Sequence, residues 1–299
     1  MLKKILITIF FVSLLYVAGC SEDSTEPIVT NPEGTLNLTL NGLEDLGSTA
    51  VYEGWIMVNG SPQSTGTFTI NSSGQLSKSG FQINSATLNS ATAFILTIEP
   101  VPDPSTSPSS QKILAGDFSG NTASLLINHA AALGNDFSTA TGSYVLATPT
   151  DADTTNELSG IWFLKLPPPP QAGLMLPTLP AGWVYEGWVV VPGSSSPVST
   201  GRFTSASGTD EAAPFSGSLP GPPFPGEDLL QNAPSGLTFP TNLSTGVAVI
   251  SVEPNPDNSS APFALKPLVG NIPSNAADHF NYDMTNQSAS NNPTGTVTR

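Results

Sequence analysis

The chain repeats itself, and the repeat limits its fold more than any single motif does. Whatever architecture one copy adopts, the other must share, with additions confined to loops. Val51-Tyr52-Glu53-Gly54-Trp55 is answered by Val184-Tyr185-Glu186-Gly187-Trp188, 133 residues later. Ser64-Thr65-Gly66-Thr67-Phe68-Thr69 is answered by Ser199-Thr200-Gly201-Arg202-Phe203-Thr204 at an offset of 135. Phe94-Ile95-Leu96-Thr97-Ile98-Glu99-Pro100 meets Ala248-Val249-Ile250-Ser251-Val252-Glu253-Pro254 at 154. At that same offset Pro102-Asp103 meets Pro256-Asp257, Lys112 meets Lys266, and Leu114-Ala115-Gly116 meets Leu268-Val269-Gly270. The order is kept and the offset grows only at loops: by two in the turn before Ser199 and by 19 around the Pro-rich residues 219–226, while a second Pro-rich insertion, 167–181, precedes Trp183.

Within each copy the apolar period is two. Leu36, Leu38 and Leu40 alternate with Asn37 and Thr39, and Phe94, Leu96 and Ile98 share one face. Short runs of this kind between Gly, Pro, Ser and Asn clusters are strand signals. They predict strands near residues 35–40, 51–58, 65–70, 94–99, 112–117, 122–128 and 143–148, with a tight hairpin at Asn59-Gly60. With 27 Gly and 29 Pro the chain reaches compositions typical of disorder, but these residues fall between the runs. The expectation is an all-β protein of two tandem immunoglobulin-like β-sandwich domains. The first spans 34–158. The second spans 159–299 and carries the Pro-rich insertions.

The segment before residue 34 reads as targeting material. Lys3 and Lys4 precede an uncharged stretch, Ile5 to Val17, about 20 Å long as a helix and short of the roughly 30 Å hydrocarbon core. That is the plan of a signal peptide, 1–19. Val17-Ala18-Gly19-Cys20 resembles the lipobox of bacterial lipoproteins, which implies cleavage before Cys20 and covalent lipid on it, the only cysteine present. Several acyl chains hold a protein at a membrane far longer than one. Residues 20–33, opening Ser21-Glu22-Asp23-Ser24-Thr25-Glu26, form an acidic, aperiodic tether. Position 21 is not the Asp that favours inner-membrane retention, and the acidic run is similar to surface-export signals. The expected location is the bacterial cell envelope, with the outer membrane favoured over the inner.

Charge and composition exclude several functions. The formal net charge is −15, from 8 Lys+Arg against 23 Asp+Glu, and loss of Lys3 and Lys4 makes it −17. Nucleic acid is not a partner, since its binding needs clustered cations. One Cys and two His, His129 and His279, supply neither a disulfide framework nor a zinc enzyme. No nucleophile elbow or phosphate loop occurs. The reading is non-enzymatic, with no cofactor beyond the lipid. The recurring charged positions Glu53 and Glu186, Glu99 and Glu253, and Lys112 and Lys266 are the candidate binding residues, each Lys expected to bridge a Glu of its own copy. Trp55 and Trp188 read as core anchors. Asp151, Asp153 and Glu157 begin like a calcium loop but lack its Gly and its fifth ligand, so no metal site is assigned.

The Tyr-Glu-Gly-Trp strand, Pro197-Val198-Ser199-Thr200-Gly201-Arg202-Phe203-Thr204, and the strand ending in Glu-Pro before Lys112-Ile113-Leu114-Ala115-Gly116 together carry a wider likeness. Each copy resembles the extracytoplasmic C-terminal domain of the anti-sigma-K factor family. The resemblance implies an envelope binding or interaction module, and as an alternative a sensor or accessory in anti-sigma-type signalling. That family's transmembrane helix and zinc-type sigma-binding domain have no counterpart here, so direct sigma-factor contact is not expected. The expected partners are the membrane, through the anchor, and an envelope protein or ligand that is neutral, cationic or proteinaceous. A cell-wall polymer hydrolase is the remaining alternative.

Overall fold

Alternation in the sequence becomes alternation in burial. Leu36, Leu38 and Leu40 are buried while Asn37 and Thr39 are exposed, as a strand with one face on a core requires. The computed structural model describes residues 32–256 and 259–299. The expected signal peptide, Cys20 and nearly all of the expected tether lie outside the described residues. The described chain is 41% strand and 5% helix, and the all-β reading holds.

Among the described residues sixteen strands of three or more residues follow one another. The first eight are β1 (Glu33–Asn41), β2 (Ala50–Val58), β3 (Ser61–Phe68), β4 (Gly80–Asn84), β5 (Ala93–Pro100), β6 (Lys112–Asp117), β7 (Thr122–Leu126) and β8 (Thr141–Leu146). Their counterparts are β9 (Gly160–Trp162), β10 (Trp183–Val190), β11 (Pro197–Phe203), β12 (Gly226–Asp228), β13 (Val247–Pro254), β14 (Leu268–Asn271), β15 (Tyr282–Asn286) and β16 (Thr294–Thr298). Two large sheets result, each sandwich- or barrel-like.

Equivalent turns show how sequence sets local form. β2 and β3 are joined by Asn59 (φ 52°) and Gly60 (φ 78°), with Val58 opposite Ser61. This is the two-residue hairpin that Asn-Gly favours. Both copies then break register at the same place, between Gly54 and Trp55 and between Gly187 and Trp188. Each break is a β-bulge facing a positive-φ glycine, Gly66 (108°) or Gly201 (113°).

The sheets do not follow a cut at 158/159. One runs β3-β2-β5-β6-β7-β16-β1-β4, the other β11-β10-β13-β14-β15-β8-β9-β12. The orders are identical position by position, except that β8 and β16 have changed places. The last strand of each copy therefore completes the other copy's sheet. β16 pairs with β1 (Asn37 opposite Thr298) and with β7 (Thr296 opposite Ser124), while β8 pairs with β15 (Tyr144 opposite Tyr282).

Side chains fasten both exchanged strands. Tyr144 is fully buried and stacks on Tyr282 at 5.5 Å, and Ser143 Oγ donates to Asp283 Oδ1 at 2.7 Å. Asn286 Nδ2 donates to the carbonyls of Phe137 and Ala140, both at 2.8 Å. At the other end Arg299 Nη1 donates to the carbonyls of Leu88 (2.7 Å) and Ala91 (2.6 Å), with its guanidinium 4.3 Å over the Phe118 ring. One apolar core, from Leu36 to Val297, takes side chains from both copies, and residues 32–299 form a single unit.

Candidate functional site

The recurring glutamates brace the repeat. Ser64, at the first bulge, donates its hydroxyl to Glu53 Oε1, and Ser199 does the same for Glu186. Ser109 N donates to Glu99 Oε1 at 2.9 Å, and the equivalent Phe263 N donates to Glu253 Oε1 at 2.9 Å. Trp55 Nε1 donates to Thr97 Oγ1 (2.9 Å) and Trp188 Nε1 to Ser251 Oγ (2.8 Å), both rings being 2% exposed. A buried carboxylate that collects a loop's N–H groups holds that loop in place. Such duplicated contacts belong to the architecture. Burial pushes the Glu53 carboxyl above its usual range, with Glu99 and Asp103 adding to the shift.

The lysine bridge expected in the first copy is not made. Among the described residues no ion pair joins Lys112 to Glu99. A register shift after Leu96 sets Lys112 opposite Thr97, and the Glu99 carboxylate turns to Thr97 Oγ1 and Ser109 N instead. Lys266 is half-buried, and desolvation lowers its pKa against the pull of Glu44 and Glu253. Its charged neighbours thus come from both copies. Asp151, Asp153 and Glu157 are spent on local turns: Asp151 accepts from Asn156 Nδ2 (2.8 Å), Asp153 from Thr155 N (2.8 Å), and Glu157 from Thr148 N (2.9 Å). Among the described residues no three His, Cys, Asp or Glu side chains are grouped to hold a metal ion.

Pairing the copies creates what neither has alone. The β5–β6 loop and its counterpart between β13 and β14 face each other, with the β1–β2 loop beside them. They line an open cavity of about 660 Å³. Ile98 and Phe263 are buried at its apolar floor. Glu44, Asp45, Glu99 and Asp103 supply its charge, and no Lys, Arg or His is among the described lining residues. Gln111 Nε2 donates to the Asn255 carbonyl at 2.5 Å and ties the two loops together. The volume lies in the usual range for small-molecule sites. Of the candidate residues, only Glu99 reaches this cavity. The sequence signal that could have led here is the gapless match of Pro102-Asp103 with Pro256-Asp257.

A second acidic group lies in the other sheet and went unnoticed in the sequence. Asp210 lines a smaller cavity of about 220 Å³ with Glu211, Trp162 and Phe224. Behind it Glu227 and Asp228 of β12 are both 0% exposed. Asp228 accepts from Thr150 N (2.8 Å) and Trp162 Nε1 (2.7 Å). Burial drives the Asp210 carboxyl up to about 6 and that of Glu227 to about 7. No family model, curated protein or solved structure matches the chain.

Proposed function

We propose that the protein is a lipid-anchored component of the bacterial cell envelope, a non-enzymatic binding module related to the anti-sigma-K extracytoplasmic domain. Its ligand site is the cavity shared by the two copies. The lipobox at Val17–Cys20 supports the anchoring. The observation that carries the binding role is the convergence of Glu44, Asp45, Glu99 and Asp103 on one cavity with an apolar floor. The carboxylates of Glu44, Asp45, Glu99 and Asp103 attract an ammonium group, while Ile98 and Phe263 favour an apolar body behind it. The ligand class is accordingly an organic cation, either a free amine or the basic side chain of a partner. A hydrolase is a poorer fit: Glu227, one of the strongly perturbed carboxylates, is wholly buried behind its cavity wall, where a polymer cannot reach it.

Spermidine serves as the probe in a thermal-shift titration. The unaltered chain should gain several degrees in Tm at millimolar probe, and the Asp45→Asn/Asp103→Asn variant should gain almost nothing. Both aspartates cap exposed turns, through Gly47 N and Ser105 N, so the variant is expected to fold. Equal shifts in the two proteins would remove the cavity from consideration. Separately, Cys20→Ala should move the protein from the detergent phase to the aqueous phase of an envelope extract; no change would remove the anchor.

A further inference from the structure

Superposing the two copies by register exposes a substitution inside the core. In the first sheet, Gly80, Phe81 and Gln82 of β4 lie opposite Asn37, Leu36 and Thr35. In the second, Gly226, Glu227 and Asp228 of β12 lie opposite Trp162, Ile161 and Gly160. Glu227 therefore occupies the position of Phe81, a core ring 1% exposed and 6.0 Å from Phe68. The bulge glycines tell the same story. A Cβ on Gly66 would touch the Phe81 ring, at 3.7 Å, whereas one on Gly201 would lie 2.5 Å from Asp210 Cγ. Where the first copy packs an aromatic ring, the second packs two carboxyl groups.

Those carboxyls hold down the long segment between β11 and β12. Asp210 Oδ2 accepts from Gly226 N at 2.9 Å. Glu227 Oε1 accepts from Phe215 N (3.2 Å) and Ser216 Oγ, while Glu227 Oε2 is buried with no hydrogen-bond partner. Gly217 N reaches Thr150 Oγ1 at 2.7 Å, and Thr150 in turn is gripped by Asp228. The surroundings hold little compensating charge. β11 offers Arg202, which is engaged with Glu211 at 2.8 Å. The segment itself offers Asp210 and Glu211, β12 offers Glu227 and Asp228, and the loop before β9 offers Asp151, which acts on Asp228. β9 offers no charged side chain. Two carboxylates in such a place cannot both ionise without repulsion and desolvation cost.

We propose that Asp210 and Glu227 form a proton-operated latch that keeps the segment 205–225 closed over the second sheet. With a proton on the pair, the segment stays seated and Trp162 and Phe224, 4% and 8% exposed, stay covered. Loss of that proton leaves two carboxylates that repel each other, and Asp210 moves out with its segment. The direction follows from the raised values of about 6 and about 7. Stability from such groups is present below their unfolded-state pKa and is lost as pH rises through the folded-state values.

Hydrogen exchange of the full chain, corrected for the intrinsic pH dependence of exchange, tests this. Protection of 205–225 should fall at least tenfold between pH 5 and pH 8, while that of β3 stays constant. Glu227→Gln, which removes the ionisation and keeps the shape, should stay protected at both pH values, and Asp210→Asn should match it should the first variant not fold. Protection of the unaltered chain independent of pH would overturn the latch, as would an equal fall in the variants. Sodium or calcium restoring protection at pH 8 would overturn it too, by showing a cation on the pair in place of the proton.

Discussion

Deletion of residues 294–299 is expected to unfold the first sheet, although those residues belong to the second copy. β16 lies inside that sheet, with β7 on one side and β1 on the other. Its removal strands a row of backbone groups on each neighbour and uncovers the pocket filled by Val297, which is 0% exposed. Burying one valine contributes about 2 kcal/mol, and each buried polar group left unpaired costs about 1–3 kcal/mol. The sum exceeds about 5 kcal/mol, comparable to the whole stability of many domains. Arg299→Ala is the graded version. It removes the donors to Leu88, Ala91 and Gly120 and the contact with Phe118, and should cost about 2 kcal/mol. Hydrogen exchange locates the damage. Faster exchange in 33–41 and 122–126 is the expected result. Faster exchange confined to 268–291 would show that β16 completes its own copy's sheet.

The aligned glycines of β6 and β14 should respond very differently to alanine. A Cβ on Gly116 would lie 2.0 Å from the Ser124 carbonyl oxygen and 2.8 Å from its carbon. The obstacle is backbone, and relief requires β7 to move off β6. Gly116→Ala should cost at least about 4 kcal/mol or prevent folding. A Cβ on Gly270 would instead lie 2.9 Å from the Tyr144 ring and 3.3 Å from Met284 Cγ. Both are side chains that can shift, so Gly270→Ala should cost about 1–2 kcal/mol. Urea midpoints of the two variants provide the comparison, and equal costs would contradict it. The difference arises because the obstacle at Gly116 is the backbone of the neighbouring strand β7, whereas at Gly270 it is side chains of β8 and β15.

Particular residues explain what could be read in advance. Leu36, Leu38 and Leu40 disclose a strand because their spacing leaves one face apolar. Asn59-Gly60 discloses its turn because few other pairs tolerate positive φ twice. The glutamates recur because the loops they brace recur. The exchange of β8 and β16 was hidden. Thr141-Gly142-Ser143-Tyr144-Val145 and Thr294-Gly295-Thr296-Val297-Thr298 share length and alternation, so either can close either sheet. What separates them is tertiary: Tyr144 on Tyr282, Arg299 on Phe118. The cavity was hidden for a related reason, since its walls are loops more than 140 residues apart in sequence. Glu227 was overlooked because its three-residue strand adjoins Pro-rich sequence, which obscured the match of Gly226-Glu227-Asp228 to Gly80-Phe81-Gln82.

Because β16 lies antiparallel to β1, with Asn37 opposite Thr298, the first and last described strands end at the same rim of the molecule. A bridge of a few residues from Arg299 to Glu33 would close the backbone into a ring, and new termini could be opened in the exposed turn at 152–155. The molecule is therefore a natural subject for circular permutation. Anything fused after Arg299 would emerge beside the entry point of the chain, not at the far side.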